Sequence, residues 1–221
     1  TTFTYYDVSA VDSGDVAINE IMAAPPASSS EYVELYNHSD KSLNLQDWSI
    51  SDSGQNRDPI TNNQFIVPPD SFVVITADKS LESSFPDITI VQMSSFPSLN
   101  NGGDAITIRD ENGTLLDSLT YTSNWGEDEI ALERRSIDVI ASYKANWASA
   151  INGFGTPGRA NTVSPDTVSP TLENLVIERN KLTLIFSERL KHSIAEDLSN
   201  YTFPSGPAIA EAHFAAPDSV K

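Results

Sequence analysis

Cysteine is missing from all 221 residues of the sequence. The chain can therefore contain no disulfide, no thiolate metal site and no cysteine nucleophile. The absence does not decide between the cytosol and the exterior of a cell, because a well-packed β-sandwich is stable without disulfides.

Long apolar runs are also lacking. No run approaches the roughly 18 consecutive apolar residues that a membrane-spanning helix needs, and the first residues show no basic region followed by an apolar one. We predict no membrane insertion and no signal peptide within this sequence. Because the first residue is threonine rather than methionine, we interpret the chain as a fragment of a longer protein, with any targeting signals outside it.

Basic residues are scarce. Lys and Arg number 13 against 31 Asp and Glu, which gives a net charge of −18. Such a surface repels the phosphates of nucleic acids and acidic membranes, so we predict no direct nucleic-acid partner. The acidic residues are scattered, and their longest run is Glu127, Asp128 and Glu129. This pattern favours a solvated surface over a cation-binding patch.

Hydrophobic residues make up 39% of the chain, enough for a packed core in one large domain or two smaller ones. The clearest local signal is a β-hairpin. Ile106 and Ile108 alternate with polar residues, Asn112 and Gly113 tolerate the positive φ of a tight turn, and residues 115–121 return with β-branched and aromatic side chains.

Other segments also show the residue patterns that are typical of β-strands. We predict a half-buried strand at residues 31–37, a central strand at 71–76, a last long strand at 130–135, and a core position for Trp48. A second hairpin is expected from residues 172–177 and 181–186, and one helical turn from 193 to about 198. Further extended elements are predicted at residues 16–22 and 43–50. One more strand is predicted within residues 1 to about 12, where no local partner strand is evident.

We divide the chain into four parts. Residues 1–13 are interpreted as the terminal strand of a preceding domain or a linker, and 14–162 as one all-β sandwich. A proline-containing linker follows at 163–170, and 171–221 forms a partial second β unit that is too short for an independent sandwich. Because open edge strands invite pairing, residues 1–8 could complete the second unit in the same or a neighbouring chain.

The ordered motifs VAINEIM, EYVELYN, LNLQDWSISD, FIVPPDSFVVITAD, LNNGGDAITIRDENGTLLDSLTY, ALERR and GTPGRAN resemble the lamin tail domain. The resemblance covers about residues 14–161 and implies an immunoglobulin-like β-sandwich. For a bacterial chain, the resemblance implies a repeated module of secreted or surface proteins, in some cases beside nuclease or hydrolase domains. LTLIFSERL and LSNYTF, after residue 168, resemble the front half of a bacterial Ig-like domain. The family's nuclear role in animals rests on a coiled-coil rod, and no heptad run occurs here.

Residues typical of catalysis do not converge in the sequence. His38, His192 and His213 are isolated and are interpreted as surface residues, and neither a Gly-x-Ser-x-Gly elbow nor a phosphate-binding glycine loop occurs. A Ser-His-Asp triad assembled in space is not excluded by residue order. We predict no enzyme activity and assign no catalytic, cofactor-binding or metal-binding residue.

Among possible ligands, the sequence favours calcium. Asp110, Asn112 and Gly113 resemble part of an acidic loop, although the full EF-hand spacing is absent and a hairpin turn explains them better. If a cation binds, the first candidates are Glu20, Glu34 and Asp104. Glu20 and Glu34 stand in apolar strands, so they either face solvent or are buried against partners such as Arg134, Arg135 or a backbone donor.

The preferred interpretation is a non-catalytic structural or adhesive module of a multidomain bacterial protein, secreted or at the cell surface, with an unidentified protein or cell-surface partner. The alternative is an accessory domain that binds carbohydrate or protein for a secreted hydrolase or nuclease. It predicts an exposed aromatic patch from Tyr32, Tyr36, Trp125 or Trp147. A hydrolase would require acid and base groups that converge in a pocket. The oligomeric state is left open.

Overall fold

The computed structural model describes residues 7–27, 29–54, 56–151, 153–164, 169–187, 190, 195–202, 206, 209–216 and 219–220. Regular structure in this part of the chain is almost entirely β. Its strands are β1 Val16–Met22, β2 Tyr32–Asn37, β3 Leu43–Asn44, β4 Ser49–Ser51, β5 Asp58–Pro59, β6 Ile66–Val67, β7 Ser71–Thr76, β8 Ile90–Gln92, β9 Gly103–Arg109, β10 Leu115–Thr122, β11 Leu132–Arg134, β12 Trp147–Ser149, β13 Leu172–Glu178, β14 Lys181–Phe186, β15 Phe214–Ala216 and β16 Ser219–Val220. Short 3₁₀ helices span Ser80–Ser83, Ser123–Trp125, Lys144–Asn146 and Leu198–Asn200.

Two sheets form the first and larger unit. One sheet has six strands in the order β12-β11-β1-β2-β7-β8, and the other has four in the order β10-β9-β4-β5. Strand pairs are antiparallel except β7 with β8. Strands β3 and β6 form a small two-stranded sheet. This is the all-β, immunoglobulin-like sandwich that the resemblance implied.

The hairpin predicted from the sequence is confirmed as β9 and β10. Burial alternates along β9, so Asp104, Ile106 and Ile108 point inward while their neighbours are partly exposed. The turn contains Gly113 at φ 81°, a conformation that glycine adopts without strain. The Gly113 N–H donates to the Asp110 carbonyl at 3.0 Å, which closes the turn.

The core lies between the two sheets. Residues from both inner faces interdigitate there, and Trp48 is 1% exposed among them, which confirms its predicted core position. The other members with almost no exposure include Ile18, Val33, Leu35, Ile50, Val73, Ile75, Ile106, Ile108 and Leu119.

Strands β1 and β2 are buried on both faces. All seven residues of β1 and five of the six in β2 are buried, so the prediction of a half-buried strand at residues 31–37 is wrong. The outer face of the sheet is covered by a second apolar cluster, which includes Leu81 and Ile88, and by residues 153–163. We call residues 153–163 the covering segment.

Two other predicted elements differ from the structure. Residues 43–50 form not one strand but β3 and β4, which belong to different sheets. The long strand predicted at 130–135 is reduced to β11, because the following residues turn at 135–143 rather than continue the ladder. Residues 71–76 form β7, an interior strand with β2 and β8 as neighbours.

The first described residues lie against the sandwich. Val8 forms a parallel bridge with Ser42, the Ser9 N–H donates to the Ser42 carbonyl at 3.0 Å, and Val11 packs against the core. The segment therefore has a partner within residues 14–162, contrary to the expectation of an unpaired strand. Residues 1–6 lie outside the described part, so their pairing with the second unit stays a prediction.

The second β unit has the strand order β13-β14-β16-β15. Its predicted hairpin is confirmed as β13 paired with β14, with Arg179 at φ 53° in the turn. Every residue of β13 is exposed. The helical turn predicted at 193–198 falls partly outside the described residues. No helix in the described part of the chain is long and apolar enough to cross a membrane.

Candidate functional site

Three glutamates lie side by side on the outer face of the six-stranded sheet. Glu20 on β1 is the cross-strand partner of Glu34 on β2 and of Glu133 on β11. Each has 0% exposure. We call these three residues the glutamate cluster. Buried carboxylates in direct register are costly unless donors or cations satisfy them.

A break in the pairing of β1 with β2 places Glu20 on this face. The register shifts between Ile18 and Glu20, so Asn19 forms a bulge. Ile18 and Ile21 therefore both reach the core, while Glu20 and Met22 point to the opposite face. A strictly alternating strand would not direct residues 18 and 21 to the same side.

The covering segment supplies most of the donors to the cluster. The Thr156 N–H lies 3.1 Å from both carboxylate oxygens of Glu20, and the Gly158 N–H donates to Glu34. Glu133 accepts from the Thr162 N–H at 2.6 Å and the Val163 N–H at 2.9 Å. Additional donors are the Tyr32 hydroxyl to Glu20, the Asn19 amide to Glu34, and the Thr162 hydroxyl to Glu133.

No ion pair between described residues reaches the cluster. Of the partners predicted for Glu20 and Glu34, the backbone donors are confirmed, and Arg134 and Arg135 are wrong. Arg134 instead pairs with Asp117 of β10 at 2.8 Å, and Arg135 donates to the Ser164 carbonyl. Adjacent residues of a strand point to opposite faces, which separates the Arg134 side chain from that of Glu133.

Burial changes the acidity of the cluster. It raises the pKa of Glu20 to about 7, although the hydrogen bond from Tyr32 acts to lower this pKa. The charge of Glu133 adds to the rise. Burial also raises the pKa of Glu34, and the charge of Glu20 raises it further. Tyr32 has a raised pKa through burial and the Glu20 charge. The cluster is thus suited to holding a proton at neutral pH.

The residues considered for calcium do not converge. Glu20 and Glu34 are neighbours, but Asp104 lies in the other sheet, where it accepts from the Ser53 N–H at 2.9 Å and the Asn100 N–H at 3.1 Å. Burial works to raise the pKa of Asp104, but these hydrogen bonds outweigh it and hold the pKa below its ordinary value. Asp110 caps its own turn by accepting from the Asn112 and Thr114 N–H groups. Among the described residues no group of three or more potential ligands is placed to hold a metal.

The aromatic residues proposed for a binding patch mostly serve the core. Tyr32 and Trp147 are 0% and 4% exposed, and Trp125 packs partly buried against the core. Tyr36 is partly exposed and stacks on Phe72 with 4.5 Å between ring centroids, and the His38 ring lies 5.8 Å from Tyr36. The Tyr36 hydroxyl donates to Asp70.

The remaining sequence candidates stay apart. Burial lowers the pKa of the half-buried His38, and His213 is exposed beside Glu211; His192 lies outside the described residues. A groove of about 430 Å³ is lined by residues 8–11 and by side chains that include Asp47, Trp48 and Glu111. None of the three cluster glutamates lines it.

Comparison with known families decides the classification. The family model described as Lamin Tail Domain matches residues 9–123, more than half of the chain. The chain belongs to the lamin tail domain family. The family indicates a non-catalytic, immunoglobulin-like interaction module. No curated protein matches the sequence.

The match to the lamin tail domain contains only part of the glutamate cluster. Glu20 and Glu34 lie within residues 9–123, whereas Glu133 and the covering segment follow it in the chain. The sequence pointed to Glu20 and Glu34 but not to Glu133, Thr156 or Thr162, and it suggested Tyr32 only for an aromatic patch. Glu133 carries the same signal as the other two, an acidic residue beside the apolar pair Ala131 and Leu132 in a strand.

Proposed function

We propose that this lamin tail domain chain is a structural or adhesive module of a multidomain bacterial protein that is secreted or held at the cell surface, with a protein or cell-surface partner. One observation carries the proposal. No buried side-chain nitrogen or oxygen among the described residues lacks a hydrogen-bond partner, even in the glutamate cluster. Buried polar groups that all have hydrogen-bond partners make the fold rigid, and a spacer domain requires a rigid fold.

The arrangement of the chain supports the same proposal. The lamin tail sandwich is followed by a second β unit, β13 to β16, that begins at Leu172. Successive β units are typical of chains that space or display other domains.

Cellular location is the direct test. The full-length protein that contains this chain would be tagged and expressed in its own bacterium, and intact cells would be treated with trypsin. We expect peptides of residues 14–162 in the medium or in the fraction released from intact cells, without a cytosolic marker. Recovery of these peptides only after lysis would contradict the proposal.

A second candidate, an accessory binding domain, is favoured by the partly exposed stack of Tyr36 on Phe72. Aromatic faces beside a carboxylate such as Asp70 suit the apolar face and hydroxyls of a sugar ring. We expect Tyr36→Ala to weaken binding to an immobilised neutral polysaccharide about tenfold or more. Leu115→Ala is the control and should leave binding unchanged, because the Leu115 side chain is 45% exposed but lies away from Tyr36 and Phe72. Equal binding by both variants would dismiss the carbohydrate candidate.

A further inference from the structure

The glutamate cluster holds fewer hydrogens than its contacts require. The Thr156 hydroxyl lies 3.2 Å from Glu20 Oε2 and 2.8 Å from Glu133 Oε1. A hydroxyl carries one hydrogen and can donate to only one of them. With both carboxylates ionised, one of these two short contacts would place two acceptor oxygens against each other.

A second hydroxyl shows the same shortage. The Tyr32 hydroxyl contacts both a carboxylate oxygen of Glu20 and, at 3.3 Å, the Phe154 carbonyl. Neither of these partners can donate when Glu20 is ionised. If Glu20 carries one added proton, the shortage of hydrogens is removed at one of the two hydroxyls, that of Thr156 or that of Tyr32. The proton allows Glu20 to donate to Thr156, which then donates to Glu133, or to donate to Tyr32, which then donates to Phe154.

Within the described part of the chain, no cation forms an ion pair with any of the three glutamates. The titratable groups that face Glu20 are Glu34, Glu133 and Tyr32, and all carry zero or negative charge. The neighbouring strands β7 and β12 contain no titratable side chain. Arg159, the one charged residue in the covering segment, is exposed.

We propose that the glutamate cluster is a proton-binding latch that fastens the covering segment to the sheet. One proton, held on Glu20 and shared through Thr156 and Tyr32, completes the closed arrangement. Loss of this proton as the pH rises leaves facing acceptors and adjacent buried charges, which favour release of the segment.

Release of the covering segment changes the connection between the two β units. The segment ends at Val163, and the next strand begins at Leu172. Eleven freed residues at full extension add roughly 35–40 Å of chain. The latch therefore sets the length of the tether between the sandwich and the following unit according to pH.

The test is residue-resolved hydrogen exchange by NMR on the full 221-residue chain, read at the four cluster-bound amides of Thr156, Gly158, Thr162 and Val163. After correction for intrinsic exchange, protection should fall by about tenfold or more per pH unit over part of the range between pH 4.5 and 7. This follows because the closed state binds a proton that the open state has already lost. In Glu20→Gln, a neutral side chain that keeps a donor and an acceptor, protection at pH 7 should be clearly higher than in the wild type, and any decline that remains reports the buried Glu34.

Flat protection in the wild type would overturn the proposal, as would a loss of protection in Glu20→Gln at every pH. Glu31→Gln is the matched control, because Glu31 accepts from the Leu99 N–H away from the cluster and should leave the four amides unchanged. A ¹³C titration of the wild-type glutamate carboxyls needs no variant. We expect one of the three cluster carboxyls to titrate near pH 7; titration of all three at or below about 4.5 would refute the latch.

Discussion

At residue 134 a buried guanidinium joins the two sheets. Arg134 on β11 pairs with Asp117 on β10, and it also donates to the carbonyls of Ile18 at 3.0 Å and Val139 at 2.6 Å. Asp117 in turn accepts from the Ile18 N–H at 2.9 Å. One charged pair therefore links β11 to β10 and satisfies backbone groups of β1 and of the loop that follows β11.

Arg134→Ala should be strongly destabilising. It removes the charged partner of the Asp117 carboxylate and the guanidinium donors to the carbonyls of Ile18, Ser136 and Val139. The loss of one partner of a buried pair costs about 3–5 kcal/mol. Urea denaturation of the wild type and the variant would measure the change in the free energy of unfolding. Arg135→Ala is the control. The Arg135 side chain donates to the Ser164 carbonyl at an exposed position, and its loss should cost about 0.5 kcal/mol. Similar losses in both variants would contradict the bridging role.

At the scale of single residues, the glutamate cluster was predictable only in part from the sequence. Glu20 and Glu34 were recognisable as exceptions in apolar strands, and their need for partners was clear. Their main donors, Thr156 and Gly158, lie more than 120 residues away in an irregular segment without periodicity. Arg134 was assigned to these carboxylates because the sequence does not show which face of β11 it occupies, and a shift of one residue reverses the face.

Among the elements, the covering segment depends on glycine where it meets the cluster. Gly155 is buried at φ +104°, and an added Cβ would overlap Glu20 Oε1 and lie 2.7 Å from Ala131 Cβ. Gly153 has φ +75° in the same segment, but nothing lies within 4 Å of its Cβ position. The two glycines therefore separate the cost of the backbone conformation from the cost of close packing.

Gly155→Ala should lower the free energy of unfolding by about 3 kcal/mol or more, the sum of backbone strain and overpacking. Gly153→Ala carries only the backbone cost of about 1–2 kcal/mol. Differential scanning calorimetry of both variants gives the comparison. If the two melting temperatures fall equally, the covering segment is not packed on the sheet in solution.

Elements differ in how far local sequence determines them. The β9–β10 hairpin was predictable because its alternation and its Asn-Gly turn are both local features. The bulge at Asn19 was not, since no residue at that point marks a break in the alternation, and only the pairing of β1 with β2 reveals it. The division of residues 43–50 between two sheets likewise depends on long-range partners, β6 for Leu43 and β9 for Ile50.

For the whole molecule, the net charge of −18 dominates long-range electrostatics. Mutual repulsion among exposed carboxylates opposes the compact state, and dissolved salt screens it. Any divalent cation should thus stabilise the protein by screening alone. A specific calcium site would add to this general effect, so the two contributions must be separated.

We expect calcium and magnesium chloride at equal concentration to raise the melting temperature equally. The acidic groups considered as ligands already accept internal donors: Asp104 from Ser53 and Asn100, Asp110 from Thr114, and Glu20 from Thr156. A cation would have to displace these hydrogen bonds. Calcium tolerates irregular coordination by oxygen ligands, whereas magnesium requires nearly octahedral geometry. Only calcium would therefore reveal such a site.

Thermal melts of one sample in calcium, in magnesium and in chelator, with sodium chloride added to equal ionic strength, provide the measurement. A melting temperature several degrees higher in calcium than in magnesium would establish a specific site, since a ligand stabilises the state that binds it. Asp110→Asn would then show whether the hairpin turn holds the ion, because this variant removes a carboxylate oxygen at the turn and leaves the glutamate cluster intact.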